Sequence, residues 1–94
     1  MFRLNRAERF IKSASKLPSS VLNKLAKCLL LLENNPKHPS LRTHKVKNAI
    51  GTFHGDVFEA YIDNQYRLTW EYGNQQGMIV LRNCGNHDDC LNDP

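Results

Sequence analysis

The chain has 94 residues, with 13 Lys and Arg against 9 Asp and Glu, a net charge of +4 and a pI near 9.2. With 40% hydrophobic and 23% charged residues it is ordinary globular material, enough for a single domain over residues 1–94 and too little for a second core. The odd count of three cysteines argues against a disulfide framework, "MFRLNRAERF" lacks the apolar stretch of a signal peptide, and "CLLLL" is too short to span a bilayer.

A reduced, cytoplasmic protein with no membrane partner is therefore expected. The basic surplus points to polyanions, nucleic acid first, or to an acidic protein.

In chain order, "MFRL" reads as a short first strand, and Asn5 offers an N-cap to "RAERFIKSASKL", where Ala7, Phe10, Ile11 and Ala14 recur at helical spacing. Pro18 ends that element. Ser19 or Ser20 caps a second helix, "VLNKLAKCLLLLEN", whose stripe is Val21, Leu22, Leu25, Cys28, Leu29 and Leu32. Asn34, Asn35 and Pro36 stop it. Two helices joined this tightly form a helical hairpin in need of a sheet.

"KHPSLRTHKVKNAIGTFHGD" is rich in Pro, Gly and basic residues, so it reads as a long surface loop with at most a short strand near Lys45–Lys47. "VFEAYIDNQYRLTWEY" is a β-hairpin turning at Asp63-Asn64. Phe58, Ala60, Ile62, Tyr66, Leu68, Trp70 and Tyr72 would pack on the helices, leaving Glu59, Arg67, Thr69 and Glu71 on the other side. "MIVLRNC" is a further strand, with the facing of Arg82 ambiguous, and "GNHDDCLNDP" a polar tail. The layout is α+β: an N-terminal β-strand and an α-helical hairpin packed on a small, mostly antiparallel sheet of three to four strands, one face free for function.

Cys84, His87 and Cys90 recur at three-residue intervals, but structural zinc calls for four ligands, usually with a second pair elsewhere, so metal binding is not expected. His87 follows the last strand. Arg67 lies on the polar face of a central strand, where a guanidinium needs an anion or water. His44, Lys45 and Lys47 arrive from the long loop. Such a groove is positive, histidine-bearing and phosphate-sized. RNA cleavage by internal transesterification needs those parts: a base for the ribose 2′-hydroxyl, a cation for the phosphorane charge, and an acid for the departing 5′-oxygen. His44 and His87 suit the proton roles, and Arg67 the phosphate. Arg82, Lys45 and Lys47 would steer RNA, with Glu59 orienting Arg67 or acting as a base.

The succession "KLPSSVLNKLAKCLLLLENNP", "HPSLRTHKVKN", "VFEAYIDNQYRLTW" and "VLRNCGNHDD" resembles the RelE/ParE superfamily of bacterial and archaeal toxins over nearly the whole chain. The resemblance implies the same small α+β module and a toxin neutralised by a cognate antitoxin protein. RelE-type members cut mRNA at the ribosome without metal or other cofactor. ParE-type members share the fold and poison DNA gyrase instead, and a degenerate, non-toxic relative is the remaining alternative. By resemblance, Arg67 matches the arginine set against the scissile phosphate, His87 a catalytic position after the last strand, and His44 a loop histidine of the histidine-dependent branch. Two departures stand out. Phe58, Glu59 and Ala60 occupy the strand where RelE carries two lysines, and Asp88, Asp89 and Cys90 replace an aromatic residue that many members carry.

Overall fold

The computed structural model describes residues 1–94. The elements run β1 (Arg3–Arg6), α1 (Glu8–Ala14), α2 (Ser19–Asn34), a 3-10 turn at Pro39–Leu41, β2 (His44–Ile50), β3 (Asp56–Tyr61), β4 (Tyr66–Tyr72), β5 (Met78–Asn86) and α3 (His87–Asn92). All five strands form one sheet in the order β1-β5-β4-β3-β2. It is antiparallel except for β1 and β5, which run parallel. This is the expected α+β arrangement with one strand more than the three to four read from the sequence.

The extra strand is β2. Its seven residues were expected to be mostly loop, because an edge strand with exposed side chains shows no apolar alternation. Its pairing with β3 holds at His44↔Glu59 and Lys45↔Phe58, then shifts register before Ile50. Asn48, at φ 60°, falls inside that irregular stretch.

Asn5, expected to cap α1, lies in β1 instead. The N-cap is Ala7, with no side-chain hydrogen bond, and its own N–H donates to the Leu81 carbonyl at 3.0 Å. Ser19 and Ser20 do not cap α2 either. Pro18 is its N-cap, and the Pro18 carbonyl accepts the first helical bonds, from Val21 and Leu22.

One layer of side chains joins helices to sheet. Phe10, Leu25, Leu32, Leu68, Trp70, Ile79 and Leu81 are all at most 5% exposed and belong to one core cluster. Each such side chain contributes roughly 1.5–3 kcal/mol by leaving water. Ala60, Leu68 and Cys84 sit opposite one another across β3, β4 and β5 on this face. Glu59, Thr69 and Asn83 do the same on the other face, so the polar side of the hairpin falls where the alternation put it.

That polar face is not open as expected. The tail folds into α3, packed against β4 and β5. Asn86 caps it: the Asn86 side-chain oxygen accepts from the Asp89 N–H at 2.9 Å, and the Asn86 amide donates to the Asp89 carboxylate at 3.0 Å. Cys90 is fully buried as a result, and Glu59, Thr69 and Glu71 are no more than 1% exposed.

Candidate active site

The β3–β4 turn holds the site together. It is wider than the Asp63-Asn64 pair expected to make a two-residue hairpin. Both Ile62 and Asp63 N–H groups donate to the Tyr66 carbonyl, and the Asp63 carboxylate accepts from the N–H groups of Gln65 and Tyr66 at 2.8 and 2.7 Å. Burial pushes the Asp63 carboxyl upward in pKa, but these two bonds and the Lys24 ammonium outweigh it, leaving it below its ordinary value. The turn then positions two predicted residues. Arg67 Nη1 donates to the carbonyls of Asp63 and Asn64 at 2.9 and 2.8 Å, and the His87 N–H donates to the Gln65 carbonyl at 2.8 Å.

His44, Glu59 and Thr69 share one cross-strand row, and Tyr61, Arg67 and Gly85 share the next. The guanidinium carbon lies 3.6 Å from the centre of the Tyr61 ring, and Arg42 approaches the same ring at 5.3 Å.

Glu59 is the centre of the site. Its carboxylate is fully buried, yet neither oxygen completes a well-aligned hydrogen bond. One oxygen lies 2.8 Å from His44 Nε2 and 4.0 Å from Arg67 Nε, and the other 3.5 Å from His87 Nδ1. Both imidazoles are about half exposed, at 51% and 48%. The other His44 ring nitrogen, Nδ1, lies 3.1 Å from the Arg42 carbonyl, so each nitrogen of that ring faces an acceptor.

The structure therefore brings His87, His44, Arg67 and Glu59 together. Arg67 is only 6% exposed and largely committed to the turn. Its Nη2 makes no protein hydrogen bond and is not among the buried unpartnered atoms, so that edge alone remains for a ligand. Asp89, one of the residues standing in place of the aromatic, is occupied by the Asn86 cap.

Of the three cations expected to steer RNA, Arg82 and Lys45 are not among the groups that meet Glu59. Arg82 is the bulge residue of β5 and pairs with Glu71, four residues beyond Arg67 along β4, roughly 13 Å at ~3.3 Å per residue. Lys45 pairs in register with Phe58, on the opposite side of the sheet from Glu59, and its ammonium contacts Asp56 at 3.3 Å. Lys47 is exposed and forms no ion pair.

Tyr61 and Arg42 belong to the site and were not singled out for it. Period two from Glu59 would have given Tyr61. Arg42 is held at φ 48°, ψ 39° after the 3-10 turn, a left-handed conformation no side-chain pattern announces.

Cys84 and Cys90 are buried and unpaired, and burial pushes their thiols up to about 11 and about 12, with the charge of Glu59 adding to the effect at Cys90. Neutral buried thiols are poor nucleophiles and poor ligands. No three His, Cys, Asp or Glu side chains converge to hold one metal ion. No helix is long and apolar enough to cross a membrane.

A small α+β module with a helical hairpin on one face of its sheet and an imidazole-flanked carboxylate on the other has the fold of the RelE-like toxins. The chain superposes on the archaeal RelE–RelB complex from Pyrococcus horikoshii OT3 with TM-score 0.71 and 17% identity, covering 90% of this chain and 93% of that one. The intact E. coli RelBE toxin–antitoxin complex gives 0.68 and 21%, with 92% and 96% covered. YafQ from E. coli BL21(DE3) gives 0.69 and 16%, with 95% and 97% covered. At such identities the likeness is one of fold. No protein-family model and no curated relative matches the sequence.

Proposed function

We propose that the protein is the toxin of a type II toxin–antitoxin pair and an endoribonuclease that cuts mRNA, at the ribosome, by attack of a ribose 2′-hydroxyl. The observation that carries this reading is the buried Glu59 carboxylate set between two half-exposed imidazoles, with one edge of Arg67 beside it. One imidazole takes the 2′-hydroxyl proton as the 2′-oxygen bonds to phosphorus. The other delivers a proton to the 5′-oxygen as the P–O5′ bond breaks, leaving a 2′,3′-cyclic phosphate and a 5′-hydroxyl. The positive charge gained by the first ring lies against Glu59. The free edge of Arg67 faces the phosphorane charge, and Tyr61 and the turn carbonyls keep that guanidinium from moving. The partner that restrains the toxin is an antitoxin protein, by likeness to the RelBE complex.

The test is induced expression of wild-type protein, His87→Ala and His44→Ala, with growth followed and RNA ends mapped. Growth arrest with new 5′-hydroxyl ends in mRNA is expected for the wild type. Each substitution should cut the cleavage rate roughly 10²–10⁴-fold, the usual contribution of one general acid or base. Arrest accompanied by DNA damage and intact mRNA would turn the reading toward a gyrase poison.

A further inference from the structure

On the other side of the sheet edge from Glu59 lies a cavity of about 570 Å³ that the chemistry above does not use. Its floor is aromatic: Phe58 stacks on Trp70 at 4.7 Å, and Tyr72 stands edge-on to Trp70 at 5.0 Å. Tyr72 is 42% exposed, and the Trp70 indole N–H is buried without a partner. The rim is cationic. Lys37 and Arg42 line it and neither forms an ion pair, while none of the lining residues is acidic. His44 lines it too, so the cavity opens beside a ring of the candidate active site.

We propose that this cavity is a nucleotide subsite, taking one base of an RNA strand against Tyr72 and Phe58 and the adjoining phosphate on Lys37 and Arg42. An aromatic platform beneath unpaired cations is the arrangement that single-stranded nucleic acid requires: every base has a face to stack, and every linkage has a charge to neutralise. The volume admits a base with its sugar. The shared residue His44, and Arg42 above Tyr61, give the strand a continuous path from this cavity to Glu59. The proposal rests on the RNA-cleavage reading and extends it, placing the bound strand over the β2 edge. An acidic peptide would find the same charges, but continuity with the imidazole pair favours RNA.

Trp70 is the only tryptophan in the chain, so its fluorescence reports on this cavity. The experiment titrates the whole protein with a fully 2′-O-methylated trinucleotide, which binds without being cleaved. Saturable quenching is expected. Tyr72→Ala and the pair Lys37→Ala/Arg42→Ala should each weaken it about tenfold, and the pair should flatten the dependence of log affinity on log salt by about 1.4. Lys12→Ala, on exposed α1 surface, should change nothing. Absence of quenching, equal weakening by Lys12→Ala, or equal binding of inorganic phosphate would overturn the proposal. Tighter binding of an acidic peptide at the same residues would overturn it in favour of a protein partner. Circular-dichroism melts of the variants separate lost binding from lost folding. Binding lost while arrest persists removes the subsite alone, whereas arrest persisting in His87→Ala removes the catalytic reading alone.

Discussion

Two buried carboxylates, Glu59 and Glu71, lie on the same face of the sheet, both no more than 1% exposed, and they are built for opposite ends. Glu71 is satisfied on every side. It pairs with Arg82 and accepts from the N–H groups of Thr52 and Phe53 at 3.2 and 3.3 Å. Gly51 allows this approach, since a Cβ there would run into the Glu71 carboxylate. Arg82 in turn donates to Thr52 and to the Pro94 backbone oxygen, where Arg9 also arrives. Glu59 has none of this. Its neighbours are two rings still open to water and an arginine occupied by a turn. A buried carboxylate surrounded by committed donors acts as a staple, whereas one facing two half-exposed imidazoles leaves part of its desolvation cost uncompensated.

The largest expected effect that separates the two is on stability. Glu71→Ala strands Arg82, whose side chain is only 17% exposed, without its counter-charge. The loss should be about 3–5 kcal/mol in chemical denaturation, with RNA cleavage per folded molecule unchanged. Gly51→Ala should give a smaller loss by the same route.

Glu59→Gln should do the reverse. The fold should hold within about 1 kcal/mol, because the carboxylate completes no well-aligned hydrogen bond whose loss would be felt. The cleavage rate should fall at least tenfold as both imidazoles lose their anion. A variant as unstable as Glu71→Ala would show that Glu59 is a second staple.

The smallest effects are in pH dependence. Burial raises the Glu71 pKa, but Arg82 and the two backbone N–H groups more than offset this, so the folded value lies below the ordinary 4.5. A depressed folded pKa contributes stability that is present above 4.5 and lost as the pH falls through the folded value. Glu71→Gln should therefore flatten the acid limb of the stability profile. At the alkaline end, Cys84 and Cys90 rise from 9.0 to about 11 and about 12. Stability from these protonated thiols is complete below pH 9 and fades as the pH climbs toward those values. Cys90→Ala should soften that decline, as followed by denaturation midpoints between pH 8 and 11.

Much of this contrast was legible beforehand. Strict alternation from Val57 to Tyr72 put Glu59, Arg67, Thr69 and Glu71 on one face, and the order of elements gave the fold. What escaped has physical reasons. β2 is an edge strand with a register break, so no alternation marks it. Arg82 sits in a bulge, where period two no longer predicts the side a residue faces. α3 has six residues, too few for periodicity, and its only advance sign is the Asn86–Asp89 spacing. The meeting of His44 with Glu59 depends on strand register, and the diversion of Arg67 to turn carbonyls on the local backbone. Neither is written in residue order.

The position of β5 has a consequence for synthesis. This strand lies between β1 and β4, so β1 has no hydrogen-bonded partner in the sheet until residues 78–86 have been made, and His87 comes immediately afterwards. A polypeptide that ends before Met78 lacks the strand that joins β1 to β4 and lacks His87, one of the two imidazoles beside Glu59. Under the proposed reading, cleavage is withheld until residues 78–87 have been made.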